Sequence, residues 1–123
     1  MQFELSELYK GYAELDVPER VLANLKDLQW RLNRLSEHYL PAVIVNRGYR
    51  DPEYNAKVGG QKTSPHLAGQ AVDLSDRAGV LKAWCVANLD KLRECGLFME
   101  DPAATPTWCH LQSRPASRTI FKP

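Results

Sequence analysis

One amphipathic helix constrains the fold of this chain more than any other feature. The segment DVPERVLANLKDLQWRLNRLSEHYL repeats apolar residues at steps of three and four. That spacing places them along one face of a helix and leaves the charged residues on the other faces. The apolar stripe consists of Val21, Leu22, Leu25, Leu28, Leu32 and Leu35. We expect a helix over about residues 17–38, with Asp16 and Glu19 in the spacing of a capping box at its start.

The rest of the chain alternates between short β-type runs and one further helical pattern. The runs AVIVN, GQAVDLS, LFMED and TWCHLQS predict four strands, the last two joined by a hairpin-like loop PAATP. A short edge strand is expected in the C-terminal tail RPASRTIFKP. These elements predict an α+β fold, a small antiparallel sheet flanked by helices.

A second helix is expected over about residues 77–94. Asp76 or Ser75 is the predicted N-cap, and Gly96 is a natural stop at the C-terminal end. The residues expected to face the core are Val80, Leu81, Trp84, Ala87 and Leu92.

Composition excludes several classes of function. The chain has 123 residues, which fits a single domain over 1–123, and its 16 Lys and Arg balance 15 Asp and Glu. Such a balance does not indicate the excess of basic residues that is typical of nucleic-acid-binding proteins. No apolar run reaches the ~20 residues of a membrane span. We therefore expect no nucleic-acid or membrane partner, and a monomer. The start of the chain does not resemble a Sec signal, so we expect a protein made in the cytoplasm, with its three cysteines reduced and mostly buried.

The segment SPHLAGQAVDL carries a possible metal site. Gly69 permits a tight bend, after which alternation places Ala71 and Asp73 on one face of a strand. His66 precedes the bend, so its ring can fold back towards Asp73. A carboxylate among apolar residues is costly unless it is paired or binds a metal, and an imidazole is a natural co-ligand.

A catalytic zinc usually takes three protein ligands and a water, so a third ligand is needed. In TPTWCHLQ, alternation places His110 on the same face as Trp108 and Gln112. His38 ends an exposed helix and is interpreted as a solvated residue. On spacing alone a hydrogen-bonded core pair of His66 and Asp73 remains an alternative to a metal site.

The order of these motifs resembles a known family. The chain resembles the M15 peptidases in the segment RGYRDPEYNAKVGGQKTSPHLAGQAVDL and in the later WCHL. Members of this family are zinc enzymes that cut peptidoglycan peptides, as D-Ala-D-Ala carboxypeptidases or as endopeptidases. Many of them are phage endolysins. The resemblance covers roughly residues 43–113, after an N-terminal helical part of about 1–40. It implies the single-domain fold of hedgehog and D,D-peptidase-like proteins.

The resemblance also assigns roles. It implies that His66, Asp73 and His110 bind one Zn²⁺, and that Arg50 holds a carboxylate or carbonyls of the substrate, a role that suits a guanidinium fork. A surface salt bridge with a neighbouring acid is the alternative for Arg50. Ser64 matches a serine near the substrate, and Trp108 is expected to contact the substrate too. Arg47 stands where a serine is more usual.

The general base is where this chain departs from the family. Many members place an acid three positions before the last histidine, and here that position is Thr107, which cannot act as a base at neutral pH. The available acids are Glu100 and Asp101. We favour Glu100, because a hairpin brings it opposite the Trp108–His110 segment, whereas Asp101 before Pro102 is typical of a turn.

The resemblance predicts a zinc metallopeptidase acting on peptidoglycan stem peptides or cross-links, with D,D- and L,D-specificity both open. An endolysin-like protein would reach the cell wall by phage-type release. The alternative is a catalytically weak or inactive zinc-containing module that binds the cell wall or belongs to a virion, and Thr107 keeps this alternative open.

Overall fold

A five-stranded mixed sheet with helices packed against it forms the centre of the fold. The structure, a computed structural model, describes residues 3–123, so Met1 and Gln2 of the expected N-terminal helical part lie outside it. The helices are α1 (Leu5–Leu8), α2 (Glu19–Ser36), α3 (Pro52–Lys57), α4 (Val80–Ala87) and α5 (Leu89–Cys95). The strands are β1 (Val45–Arg47), β2 (Ala71–Ser75), β3 (Phe98–Glu100), β4 (Trp108–Gln112) and β5 (Ile120–Phe121). Single 3-10 turns cover Glu14–Asp16, Pro65–Ala68 and Pro102–Ala104.

The strands lie in the order β1-β2-β4-β3-β5. Antiparallel pairing joins β1 to β2, β2 to β4 and β4 to β3, which confirms the predicted α+β fold and its hairpin. The tail does form an edge strand, but β5 runs parallel to β3 and makes the sheet mixed. The central position of β2 and β4 is what brings the motif-bearing strands side by side.

The predicted amphipathic helix is present as α2. Five of its six stripe residues are buried, four of them fully: Val21, Leu25, Leu28 and Leu32. Leu22 is half-buried at the margin of the core. The expected capping box does not form, because Asp16 belongs to a 3-10 turn and the helix begins after Pro18 without a side-chain cap.

The second predicted helix is broken into two. Asn88 has φ −131° and ψ 46°, and its side-chain amide donates to the carbonyl of Trp84, so α4 ends there and α5 begins. The N-cap of α4 is Gly79 rather than the predicted Asp76 or Ser75, although the Asp76 carboxylate accepts from the backbone N–H groups of Leu81 and Lys82 in the first turn.

The break changes which residues of α4 face the core. The helix starts at Val80, and its buried apolar positions are Leu81 and Cys85, one turn apart. Val80 and Ala87 are therefore exposed, contrary to prediction. Lys82 is buried instead, and its ammonium donates to the carbonyl of Thr105 in the loop between β3 and β4.

Strand β1 also differs from its expected bounds. It covers Val45–Arg47 rather than AVIVN, and Ile44 is 66% exposed. The strand β1 lies at the edge of the sheet and pairs only with β2, and Val45 is its one buried residue.

The three cysteines are buried free thiols, as predicted. Within residues 3–123, none of the helices combines the length and the apolar character that crossing a bilayer demands.

Gly69 makes the bend that the sequence predicts. It has φ +74° after the 3-10 turn, and a Cβ there would lie 2.7 Å from the carbonyl oxygen of Val21. Gly59 has a similar φ of +73° but open space around it. The positive φ disfavours a side chain at both positions. At Gly69 a side chain would also clash with α2.

We expect Gly69→Ala to lower the free energy of unfolding more than Gly59→Ala. The left-handed backbone costs about 1–2 kcal/mol at either site. Overpacking against α2 adds roughly 1–3 kcal/mol at Gly69 alone. Urea denaturation of both variants measures the difference, and equal losses would show that the packing argument is wrong.

Candidate active site

Strand register brings Asp73 and His110 together. The antiparallel pairing of β2 with β4 places these residues directly opposite each other, so their side chains leave the same face of the sheet. His66 arrives from the 3-10 turn that precedes β2. The hydroxyl of Ser64 caps this turn by accepting a hydrogen bond from the backbone N–H of His66 at 3.2 Å. Three residues that are far apart in sequence therefore meet at one point.

The three side chains are in direct contact. His110 Nδ1 lies 2.9 Å from Asp73 Oδ1, and His66 Nε2 lies 3.3 Å from Asp73 Oδ2. One potential ligand atom from each residue lies within 4.8 Å of the other two. Both histidines are more than nine-tenths buried, and the carboxylate between them is partly exposed. The predicted trio thus forms a cluster that opens to solvent on one side.

Hydrogen bonds fix which nitrogen of each ring faces the cluster. The carbonyl of Gly48 can only accept, so His66 Nδ1 carries a proton and donates at 2.7 Å, which turns Nε2 towards Asp73. His110 Nε2 donates to Gln112 Oε1 at 2.8 Å, which leaves Nδ1 facing Asp73. The Gln112 amide is itself oriented, because its Nε2 donates to the carbonyl of Arg114 at 2.9 Å.

Electrostatic interactions within the cluster also shift the pKa values of Asp73 and His110. Burial alone would raise the pKa of Asp73, but hydrogen bonds from His110 and His66, together with their charges, hold the pKa of this carboxyl well below its usual range. Burial favours the neutral form of His110, but the hydrogen bond and charge of Asp73 outweigh it and raise the pKa of that imidazole. Asp73 is therefore an anion that attracts cations to this point.

The donor set fits a divalent metal such as zinc. Two imidazole nitrogens and a carboxylate form one of the ligand sets of catalytic zinc sites, which keep a fourth position open. The second nitrogen of each ring donates to an oxygen acceptor, as ligating histidines almost always do. His66 through Nε2, His110 through Nδ1 and Asp73 through its carboxylate are the groups that can hold the ion.

Gln112 and Gly48 are supporting residues that the sequence argument did not assign. Alternation already placed Gln112 on the face of His110, a signal that could have identified it. The role of Gly48 depends on a tertiary contact. A Cβ there would lie 2.2 Å from the carbonyl oxygen of Leu8, so only glycine fits between α1 and the ring of His66.

Replacing Gln112 by leucine is expected to lower zinc affinity by about 10–100-fold, the usual cost of losing the hydrogen-bond partner of a ligating histidine. Competition titration with a chromophoric chelator measures this affinity. Gln61→Leu is the matched control, because Gln61 also lines the cleft but its side chain is exposed. Equal affinities of the two variants would contradict the orienting role of Gln112.

The cluster lines a cleft of about 450 Å³. Glu100 lines it too, and extending the register of β3 and β4 by one residue places Glu100 opposite His110. Asp101 is not among the lining residues. Its carboxylate caps the Pro102–Ala104 turn by accepting from Ala103 N at 3.0 Å, as a turn residue would. The structure therefore brings Glu100, and not Asp101, to the site.

The three residues expected to contact the substrate also line the cleft: Arg50, Ser64 and Trp108. Among the described residues, Arg50 forms no salt bridge with Asp51 or Glu53, and its buried Nε has no hydrogen-bond partner. An unpaired cation on the wall of a cleft is positioned for an anionic ligand. Ser64 has a structural role as well, since it caps the turn that carries His66.

Two positions where the motif departs from the family lie away from the cleft. The guanidinium of Arg47 stacks 4.6 Å from the ring centre of Tyr54 and donates to the carbonyl of Lys10. Thr107 is exposed, and its carbonyl accepts from the backbone N–H of Asp76 at 3.0 Å. Neither side chain is among those that line the cleft.

Comparison with known proteins identifies a family and a fold for this chain. A sequence profile described as Peptidase M15 matches residues 2–102, a stretch that contains His66 and Asp73 and ends before His110. A crystal structure of the Serratia marcescens L-Ala D-Glu endopeptidase ChiX is similar, with a TM-score of 0.51 and 23% identity over 80% of this chain and 92% of that chain. At this identity the likeness establishes a common fold. A search of curated proteins found no match. Because the family profile spans most of the sequence, the chain belongs to the M15 peptidase family.

Proposed function

We propose that this protein is a zinc-dependent peptidase that hydrolyses amide bonds in peptidoglycan stem peptides or their cross-links, and that it acts at the cell wall. The observation that carries the proposal is the convergence of His66, Asp73 and His110 in one cleft with Glu100 and Arg50. A metal site, a base and a substrate-binding cation are the parts that metal-assisted hydrolysis of a peptide requires.

The residues of the chain divide the work of hydrolysis. When bound, a zinc ion supplies Lewis acidity that lowers the pKa of water and polarises the scissile carbonyl. The Glu100 carboxylate accepts a proton from the attacking water as the C–O bond forms, and it returns that proton to the nitrogen of the leaving amine as the C–N bond breaks. Gln112 and the carbonyl of Gly48 hold the two imidazoles in place during this exchange.

Arg50 orients the substrate in this scheme. Its guanidinium can donate two parallel hydrogen bonds to a carboxylate or to backbone carbonyls of a peptide. The unpaired Nε of Arg50 supports this role, because the side chain has donors to spare.

Arg50→Lys is expected to raise KM by about 10–100-fold, the equivalent of losing a charged hydrogen bond of about 1.5–3 kcal/mol. Steady-state kinetics on a stem peptide measures this change. Arg47→Lys is the matched control, since Arg47 lies over Tyr54 outside the cleft. If both variants keep the wild-type KM, substrate orientation must be assigned to other residues.

The test of the proposed function is cleavage of defined peptides. The zinc-loaded chain is incubated with a D-Ala-D-Ala-terminated stem peptide, a cross-linked dimer and a peptide containing an L-Ala–D-Glu bond, and products are identified by mass spectrometry. We expect at least one of them to be cut, with activity lost in chelator and restored by zinc. Zinc binding without cleavage of any peptide would favour the non-enzymatic cell-wall or virion module instead.

A further inference from the structure

A second groove adjoins the catalytic cleft. It has a volume of about 500 Å³, and Ser64 lines both the groove and the cleft. We call it the cationic groove, after the three basic residues that line it: Arg20, Lys62 and Arg114. A ligand long enough to pass Ser64 can occupy the cleft and the groove together.

The charge of the groove is unusual for this chain. Three basic side chains line it and no carboxylate does, whereas the whole sequence has 16 basic and 15 acidic residues. None of the salt bridges between described residues involves Arg20, Lys62 or Arg114. The positive charge in the groove is therefore available to a ligand.

Arg114 is fixed in a way that preserves its charge. Its Nε donates to Gln70 Oε1 at 2.9 Å, and one terminal nitrogen donates to the carbonyl of Thr63 at 2.5 Å. Both acceptors are neutral, so the guanidinium is held in one orientation without being neutralised. An oriented, unneutralised guanidinium is a preorganised site for a carboxylate.

Apart from Thr63 and Ser64, the remaining lining residues are mainly apolar. The groove is also lined by Pro18, Pro52, Leu67 and the ring of Tyr49, surfaces on which the aliphatic part of a peptide can pack. Carboxylate groups on a short aliphatic backbone thus match both the charge and the polarity of this groove.

We propose that the cationic groove binds a carboxylate of the peptide substrate that lies beyond the residues flanking the bond that is cut. The inference rests on the proposed peptidase function and adds a second site of recognition to it. Arg20 and Lys62 attract the anion, and Arg114 orients it. Remote binding of this kind favours acidic peptides over neutral ones of equal length.

The test is the double variant Arg20→Gln/Lys62→Gln, compared with wild type on two peptides. One peptide carries a free carboxylate remote from the cleaved bond, and the other carries the same group as an amide. For the acidic peptide we expect the double variant to raise KM about tenfold with kcat unchanged, since two partly screened charges are lost. For the amidated peptide we expect no change. The wild-type preference for the acidic peptide should also shrink as salt is raised.

Lys26→Gln/Arg77→Gln is the control, because it removes the same total charge from two exposed residues outside the groove. An equal KM of wild type and the groove variant for the acidic peptide would contradict the proposed role of the groove. The proposed peptidase function would still stand. If no peptide is cut at all, calorimetry can measure the affinity of wild type and of the groove variant for the two peptides, which tests the groove without catalysis. Tighter binding of the acidic peptide to wild type than to the groove variant supports the proposal, and equal binding overturns it.

Discussion

His66→Ala is expected to abolish stoichiometric zinc binding and to lower peptidase activity by about 10³-fold or more. Removing this imidazole leaves Asp73 and His110, and two protein ligands do not hold a catalytic zinc. The metal contributes several kcal/mol to stabilising the transition state, and each 1.4 kcal/mol corresponds to a factor of ten in rate. Metal analysis after gel filtration gives the stoichiometry, and steady-state kinetics on a stem peptide gives the loss of rate.

His38→Ala is the matched control for this experiment. His38 is exposed beyond the end of α2, and its ring lies 4.0 Å from Glu94 rather than near the cleft. The control should keep both zinc and activity. Full zinc occupancy in His66→Ala would mean that the ion is held elsewhere, and the assignment of His110 and Asp73 would fail with it.

Glu100→Gln is expected to lower kcat by about 10²–10⁴-fold, the usual contribution of a positioned general base. The amide has nearly the shape of the carboxylate but cannot accept the proton from the attacking water. Because Glu100 is not one of the three clustered side chains, zinc binding should be unchanged, which separates this variant from His66→Ala. Single-turnover kinetics with metal analysis of the same sample measures both quantities.

Asp101→Asn serves as the comparison for Glu100→Gln. The Asp101 carboxylate caps a 3-10 turn outside the cleft, and an asparagine oxygen can still accept that hydrogen bond. We therefore expect nearly wild-type kinetics from Asp101→Asn. The reverse pattern, full activity in Glu100→Gln and a large loss in Asp101→Asn, would move the base to Asp101.

Periodicity predicted the main helix and the two strands that carry Asp73 and His110. The stripe from Val21 to Leu35 identified α2, and alternation placed Asp73 on one face of β2 and His110 on one face of β4. These predictions succeeded because they depend on local geometry, which the spacing of residues specifies. The pairing of Asp73 with His110 could be reached only through the family resemblance, since strand register is a tertiary property.

Residues whose surroundings come from distant segments could not be predicted in this way. Asn88 breaks the second helix through its own side chain, which a helical pattern does not reveal. Lys82 is buried on α4, and its ammonium donates to the carbonyl of Thr105, which belongs to a distant loop. Gly48 orients His66 from a loop 18 positions away. Each case depends on contacts that exist only once the chain has folded.

The central claim is that His66, Asp73 and His110 hold one metal ion, and zinc-edge anomalous diffraction tests it most directly. We expect a single anomalous peak about 2.0–2.2 Å from His66 Nε2, His110 Nδ1 and an oxygen of Asp73, with the fourth position facing the cleft. An anomalous peak at other residues would contradict the claim. So would crystals grown with zinc in which these three side chains are hydrogen-bonded to one another and no peak lies between them.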